Sequence, residues 1–409
     1  MSYQTGLSGL DAASTDLDVI GNNIANANTV GFKGATAQFA DTYANAIVSA
    51  VNNQVGIGTH LSTVEQNFAN GTFTKSERPL DVAINGNGFF QLSNNGTLVY
   101  SRNGVFHLDK TGAIENAEGQ QLMGYTPSAN GAMNTGTTAP IRISTADAPP
   151  AATSTIAASF NLDAQAAIPS GSPFNPSDPT TFNYSQQVPV YDSLGGDQSV
   201  TVYFVKNATG SYEVYATSGA SATPAGPSAT GDLGAITFGN SGQLTSSGKL
   251  AFTIPNGADG GATTQALSLD LTGTTQYGGK NAVLSLQPDG YGSGQLTSIT
   301  VGDDGVLNGS YSNGASRSLG QIVLATFANP NGLVNLGNNL YTQTAESGVA
   351  QIDAPGSPNH GVLQGGETED SNVDLTSELV NLITAQRDYQ ANAQTIKTQQ
   401  AVDQALLGL

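Results

Sequence analysis

The sequence predicts a multidomain α + all-β chain. Two terminal helices pair as a coiled coil, a discontinuous β domain lies between them, and an outer β domain is inserted into the first. Three observations predict this. Heptad-spaced apolar residues mark both ends of the chain. Short apolar runs separated by Asn-Gly and related turns fill the middle. The turn-rich texture that follows residue 71 returns late in the chain, after a stretch of different composition.

The N-terminal helix rests on Leu10, Leu17 and Ile24, which recur every seven residues, with Ala13, Ile20 and Ala27 interleaved. That spacing is an a/d seam. It is narrow and half of it is Ala, so the helix is marginal without a partner. The C-terminal segment "SNVDLTSELVNLITAQRDYQANAQTIKTQQAVDQALLGL" carries Leu375, Leu379, Leu382, Tyr389, Ala393 and Ile396, spaced 4, 3, 7, 4, 3. Ser371, with Asp374 three residues on, reads as its N-cap. Glu367, Glu369 and Asp370 stand just before it, on the favourable side of the helix dipole. After Ile396 the seam slips and resumes at Val402, Leu406 and Leu409. Each end has a seam and neither has a core, so the ends should meet, over roughly 30–40 residues per helix or roughly 45–60 Å. The remaining Asn, Gln and Ala surface suits packing among many copies.

Between the ends the pattern is β. Asn85-Gly86, Asn95-Gly96 and Asn103-Gly104 are hairpin signals. Similar texture runs from Ser298 to Tyr341. From about Ile141 to Gln287 a Pro-, Ala- and Ser-rich stretch leads into strands such as "QSVTVYFVK", "SYEVYATS" and "ALSLDL", where Leu267, Leu269 and Leu271 alternate. The expected segments are 1–70 (helix and connecting hinge), 71–145 and 286–362 (the discontinuous β domain), 146–285 (the inserted outer domain) and 363–409 (C-terminal helix).

Composition excludes several classes. Of 409 residues only 11% are charged, against roughly 25% in an ordinary soluble protein. The net charge is −19 with 12 basic residues, which disfavours nucleic acid and anionic membrane surfaces. There is no Cys, so thiolate zinc sites and Cys nucleophiles are excluded. No run of 18 apolar residues occurs, so no membrane insertion is expected. The N-terminus lacks the pattern of a secretory signal, so an exported chain would need another route.

Chemistry is hard to place. His60, His107 and His360 lack metal-ligand spacing. "GTTQYGGKN" around Lys280 has the wrong spacing for a phosphate loop, and Asn281 stands where Ser or Thr should bind the metal. "NGNGFF" at Asn85–Phe90 lacks the third Gly of a dinucleotide loop. "PDG" at Pro288–Gly290 and "DDG" at Asp303–Gly305 read as turns rather than calcium loops. We expect no catalytic residue, cofactor or metal, and no enzyme.

"NNIANANTVGFKG" at Asn22–Gly34 resembles the signature of the bacterial flagellar axial proteins of the rod and hook class. "SNVDLTSELVNLITAQRDYQANAQTIKT" at Ser371–Thr398 resembles the matching C-terminal signature. "PLDVAINGNGFFQL", "YSRNGVFHLDKTGAI", "VPVYDSLGGDQSVTVYFVK" and "LGQIVLATFANPNGLVNLGNNLYTQTAESG" fit in the right order. The insertion, the length and "VPVYDSLGG" resemble the hook branch rather than the shorter rod branch. The ending "QQAVDQALLGL" is a less typical version of the family's C-terminus.

This resemblance implies a structural homopolymer, a hollow bendable tube joining rod to filament as a universal joint. It implies export by the flagellar type III apparatus without a cleaved signal, an extracellular location, and a hook cap, distal rod and hook-filament junction proteins as partners. Within that picture Leu10, Leu17, Ile20 and Ile24 form the assembly seam with Leu375, Leu379, Leu382, Tyr389 and Ile396. Asn22, Asn23, Asn26, Asn28, Gly31, Phe32 and Gly34 form the hinge from inner helix to outer β domain, with Phe32 as its anchor. Alternatives are a rigid distal rod protein, a surface adhesin, and a polysaccharide-degrading β scaffold.

Overall fold

Helix α1 spans Tyr3–Ala25 and helix α2 spans Leu375–Leu407. The computed structural model describes residues 3–42, 56–128, 132–144, 146–219, 223–224, 231–254 and 265–407. The chain divides into two units, Met1–Ser144 with Ile299–Gly309 and Arg317–Leu409, and Thr145–Ser298 with Ser310–Ser316.

In the first unit α1 and α2 pack together along a line of small residues. Gly6, Ala13 and Ile20 recur every seven residues and are buried, as is Ala385 of α2. At 23 residues α1 is shorter than the heptad pattern suggests. The reason lies at Asn26. Its N–H is shared between the carbonyls of Asn22 and Asn23, at 3.1 and 3.2 Å, and Ala27 then bonds back three residues to Ile24. That tightening ends the helix, so Ala27 sits in a turn. Helix α2 begins one turn later than Ser371. Asp374 is the cap: its Oδ1 accepts the Thr376 N–H at 2.9 Å and its Oδ2 the Ser377 hydroxyl at 2.9 Å. Val402 is 48% exposed, and the Leu406 and Leu409 side chains lie outside the described residues.

Strand β1 (Ala35–Thr42) leaves the turn and pairs antiparallel with β2 (Gly58–Gln66). Ser8 of α1 accepts the Thr59 N–H at 3.3 Å, tying this ribbon to the helix. The β domain beyond is built from both sides of the chain. Strand β3 (Phe73–Lys75) pairs with Glu367–Glu369, and β4 (Val82–Asn85) with Val362–Gly365. Strand β5 (Phe89–Asn94) pairs with Leu324–Thr326, and β6 (Thr97–Ser101) with Leu340–Thr342. Phe89, Tyr100, Phe327 and Tyr341 form an edge-to-face cluster at its core.

Of the three Asn-Gly pairs, only Asn95-Gly96 closes a hairpin, joining β5 to β6 with φ of 50° and 92°. Two positive φ angles give the turn whose twist matches the strands. Asn85-Gly86 links β4 to β5, which do not pair with each other. Asn103-Gly104 is a crossing point: a Cβ on Gly104 would lie 1.7 Å from the Val82 carbonyl oxygen. Glycine here permits close approach rather than a hairpin.

The second unit is a two-sheet β structure. One sheet holds Thr155–Asn161, Lys249–Ile254, Gln265–Asp270 and Ala282–Pro288; the other holds Tyr184–Tyr191, Asp197–Ala208, Ser211–Ser218, Thr223–Pro224 and Asp232–Thr237. Leu267, Leu269 and Leu271 enter a shared core with Phe160, Val202 and Phe204. Tyr203, next to Phe204, points to the opposite face as strand geometry requires. It packs on Phe174 and Phe182 with ring centroids at 5.2 and 4.9 Å.

Candidate functional site

The segment after α1 converts a helix into a strand within ten residues, and its polar side chains do the converting. Asn23, 2% exposed, accepts the Ala35 N–H at 2.9 Å through Oδ1 and donates Nδ2 to the Ala35 carbonyl at 2.7 Å. The last turn of α1 is thereby bonded to the first residue of β1. Nδ2 also reaches Glu378 Oε1 of α2 at 3.3 Å. Asn26 donates Nδ2 to the carbonyl and side-chain oxygens of Asn22 at 2.9 and 3.0 Å. Asn28 is exposed. Gly31 takes φ +72° and donates its N–H to the Glu369 carbonyl at 2.8 Å. Gly34 donates its N–H to Asn372 Oδ1 at 2.8 Å, and Asn372 Nδ2 bonds the carbonyls of Asn67 and Ala69.

Phe32 is half-buried; the fully buried side chain of this turn is its neighbour, Lys33. Lys33 Nζ donates to Glu369 Oε1 at 2.7 Å and to the Ala69 carbonyl at 2.8 Å. Glu369 Oε1 also accepts from Gly71 N–H at 3.0 Å and Asn70 Nδ2 at 3.2 Å. Its Oε2 faces Arg102 Nη1 at 3.6 Å. Arg102 Nη2 bonds the Gly86 carbonyl at 2.9 Å, and its guanidinium lies over the Phe89 ring at 5.4 Å. Glu369 is therefore not a helix-dipole residue. It is the buried centre to which the hinge, the β2–β3 connection and β6 are anchored.

The cluster holds two cationic groups and one carboxylate, all at most 2% exposed. Burial lowers the Lys33 amine, the Arg102 guanidinium beside it lowers it further, and Glu369 opposes both. Burial likewise lowers Arg102, against the pull of Glu369. A guanidinium keeps its proton in proteins, so the excess positive charge is relieved most easily at Lys33.

Within one chain the helix contact runs through small and polar residues. A Cβ on Gly6 would meet Ile396 at 3.0 Å, and one on Gly9 would meet Asn392 at 2.7 Å. Ile20 is buried; Leu10, Leu17, Ile24, Leu382 and Ile396 are half-buried. Leu375 and Leu379 are each 45% exposed and Tyr389 37%. With Val380 and Ile383 they leave an apolar surface on α2, and Phe39, Leu61 and Val64 leave another on the β1–β2 ribbon. Asp16 lines a cavity with Ala385 and Asp388; burial raises its carboxyl, and Asp388 raises it further.

Sequence reasoning missed the Lys33–Glu369–Arg102 cluster and the roles of Asn70 and Asn372. A signal existed. In a chain with 12 basic residues, Lys33 and Arg102 each stand in an uncharged stretch, "TVGFKG" and "VYSRNG". Among the described residues no group of three or more His, Asp or Glu could hold a metal ion.

Four family descriptions match in order along the chain. Residues 4–33 match "Flagella basal body rod protein" and 83–165 "Flagellar hook protein FlgE/F/G D1 domain". Residues 161–291 match "Flagellar basal body protein FlaE D2 domain" and 364–409 "Flagellar basal body rod FlgEFG protein C-terminal". The chain is similar to the flagellar hook protein FlgE of Salmonella typhimurium, 42% identical over 415 residues and 100% of both chains. It is 41% identical to that of Escherichia coli, again over 100% of both. To the Borreliella burgdorferi protein it is 30% identical, over 100% of this chain and 99% of that one.

Proposed function

Because the chain belongs to the flagellar hook protein family and is a structural subunit of the hook, outside the cell, we propose that it assembles as a hollow, bendable tube. In that tube α1 and α2 line the interior. The subunit polymerises with copies of itself. Its further partners are a distal rod protein below, a cap at the growing end, hook-filament junction proteins above, and the flagellar export apparatus.

One observation carries this reading. Leu375, Leu379, Val380 and Ile383 stay exposed on α2 although the same helix packs on α1 through Ile396 against Gly6 and Asn392 against Gly9. An apolar helix surface left open in a single chain marks an interaction surface, and neighbouring copies supply its cover. The Lys33–Glu369–Arg102 cluster ties the turn after α1 to the strand that precedes α2, within the first unit.

Immunogold electron microscopy tests the assignment, with an antibody raised against residues 146–285. Label is expected on the short curved segment between envelope and filament. Label on a straight segment inside the envelope would make the chain a rod subunit. Label spread over the cell surface, or absent from flagella, would overturn the reading.

A further inference from the structure

Lys33 and Asn70 meet at one oxygen of Glu369. Lys33 Nζ and Asn70 Nδ2 both donate to Glu369 Oε1, at 2.7 and 3.2 Å. Lys33 has two acceptors, Glu369 Oε1 and the Ala69 carbonyl. A neutral amine has two N–H bonds to satisfy them and keeps a free lone pair. Asn70 is also held at its other atoms. Its Nδ2 donates to the Ile84 carbonyl at 2.6 Å, and its Oδ1 accepts the Gly86 N–H at 3.2 Å.

We propose that Lys33 and Asn70 become joined by an amide bond between Nζ and Cγ, with release of ammonia. Each part of that reaction has a group in place. The Lys33 lone pair attacks Asn70 Cγ, and the carbonyl electron pair moves onto Oδ1. The Gly86 N–H that already bonds Oδ1 stabilises the charge developing there. Glu369 takes the proton from Nζ and delivers it to Nδ2, as a general base and then a general acid. The Cγ–Nδ2 bond breaks, the carbonyl reforms, and ammonia leaves past half-buried Asn70 toward solvent. Nothing is oxidised or reduced. Arg102 acts as a positioning residue: its Nη1 faces Glu369 Oε2 at 3.6 Å, which leaves Oε1 turned toward Lys33 and Asn70. Burial and Arg102 favour the neutral amine, against the pull of Glu369.

The competing reaction at Asn70-Gly71 is ring closure by the Gly71 nitrogen onto Cγ. That nitrogen donates its N–H to Glu369 Oε1 at 3.0 Å, which holds it away from attack. The cross-link would close the chain from residue 33 to residue 70 around the β1–β2 ribbon. It would resist mechanical unzipping of the hinge. The inference does not depend on the hook assignment, because it concerns one folded chain.

The test is the mass of the full-length folded protein. An amide cross-link lowers the intact mass by one ammonia, about 17 Da. Protease digestion then yields one branched peptide containing both Lys33 and Asn70. Asn70→Ala restores the sequence mass. Asn70→Asp changes the loss to one water, about 18 Da, on the same branched peptide. Glu369→Gln prevents the loss, and because it removes a buried charge, the Asn70 variants serve as the folding-tolerant check. A folded wild-type chain at its sequence mass, with residues 33 and 70 on two linear peptides, overturns the proposal. So does an ammonia loss that maps to a linear peptide with a succinimide at Asn70.

Discussion

Asn23 and Ala35 bond each other twice, through Asn23 Oδ1 to the Ala35 N–H and Asn23 Nδ2 to the Ala35 carbonyl. This closed pair works like one rung of a sheet between a helix and a strand. Asn23 is buried and Ala35 half-buried, so the Asn23→Ala variant leaves two partly shielded backbone groups of Ala35 without their bonds. Each unmet buried group costs about 1–3 kcal/mol. Asn23→Asp should do worse, because a carboxylate would face the Ala35 carbonyl and Glu378 Oε1. Thermal unfolding of the monomer should show both losses in that order, and assembly should fail for Asn23→Asp.

Two glycines ten residues apart should respond to alanine with opposite signs. Gly31 has φ +72°, and a Cβ there would sit 2.7 Å from the Asn103 nitrogen and 2.8 Å from its Cα. Gly31→Ala adds backbone strain of about 1–3 kcal/mol to a clash with main chain that cannot swing away. Gly21 lies within α1 and a Cβ there meets nothing within 4 Å. Gly21→Ala should stabilise the monomer by roughly 0.5–1 kcal/mol, by restricting the unfolded chain. Urea midpoints of the two variants check both signs.

These cases show what the sequence could reveal. Heptads gave away both helices, and alternation gave away strands such as Gln265–Asp270, because those signals depend only on which face is buried. Asn95-Gly96 was legible as a hairpin because its two positive φ angles are a local property. Asn103-Gly104 was not, because its glycine answers to Val82, which is distant in sequence. Glu369 was misplaced for the same reason. Before a helix, an acid reads as a dipole partner; only the pairing of Glu367–Glu369 with Phe73–Lys75 brings it to Lys33 and Arg102. The helix contact was legible at Ala13, Ile20 and Ile396 and obscured where it runs through Gly6, Gly9 and Asn392, residues that carry no hydrophobic signal.

Glu369 faces the buried Arg102 guanidinium and accepts from Lys33, so neutralising it should be among the most damaging single changes in the first unit. Removing one partner of a buried ion pair typically costs about 3–5 kcal/mol, chiefly from the charge left behind. Glu369→Gln should lower the denaturation midpoint of the first unit. The effect should shrink when Arg102→Met is added, since the uncompensated guanidinium is then gone. Equal losses for the single and double variants would argue against the electrostatic account.

Tyr341 gives the fold an alkaline limit. Burial pushes its phenol from 10.0 up to about 12, against opposing effects from Gln66 and Arg102. Below pH 10 the phenol is protonated in both the folded and unfolded chain, and its contribution is fully present. Between pH 10 and about 12 the unfolded chain ionises while the folded one does not, so stability falls as pH rises. The full loss is roughly 3 kcal/mol. Tyr341→Phe should flatten that part of the stability-versus-pH curve. Tyr100, also raised by burial, should leave a residual slope.

The close approach of α1 and α2 makes a last prediction. A Cβ on Gly9 would come within 2.7–3.0 Å of three atoms of the Asn392 side chain. Gly9→Leu cannot fit unless Asn392 moves, and overpacking of this kind typically costs about 1–3 kcal/mol. The strain falls on the helix pair alone. Polymerisation should therefore be lost, while the β domain and the second unit keep their folds by circular dichroism and protease resistance. Asn392→Ala clears the clashing atoms, so Gly9→Leu with Asn392→Ala should recover part of the assembly. Full polymerisation of the single Gly9→Leu variant would mean the helices separate on assembly and meet other copies instead.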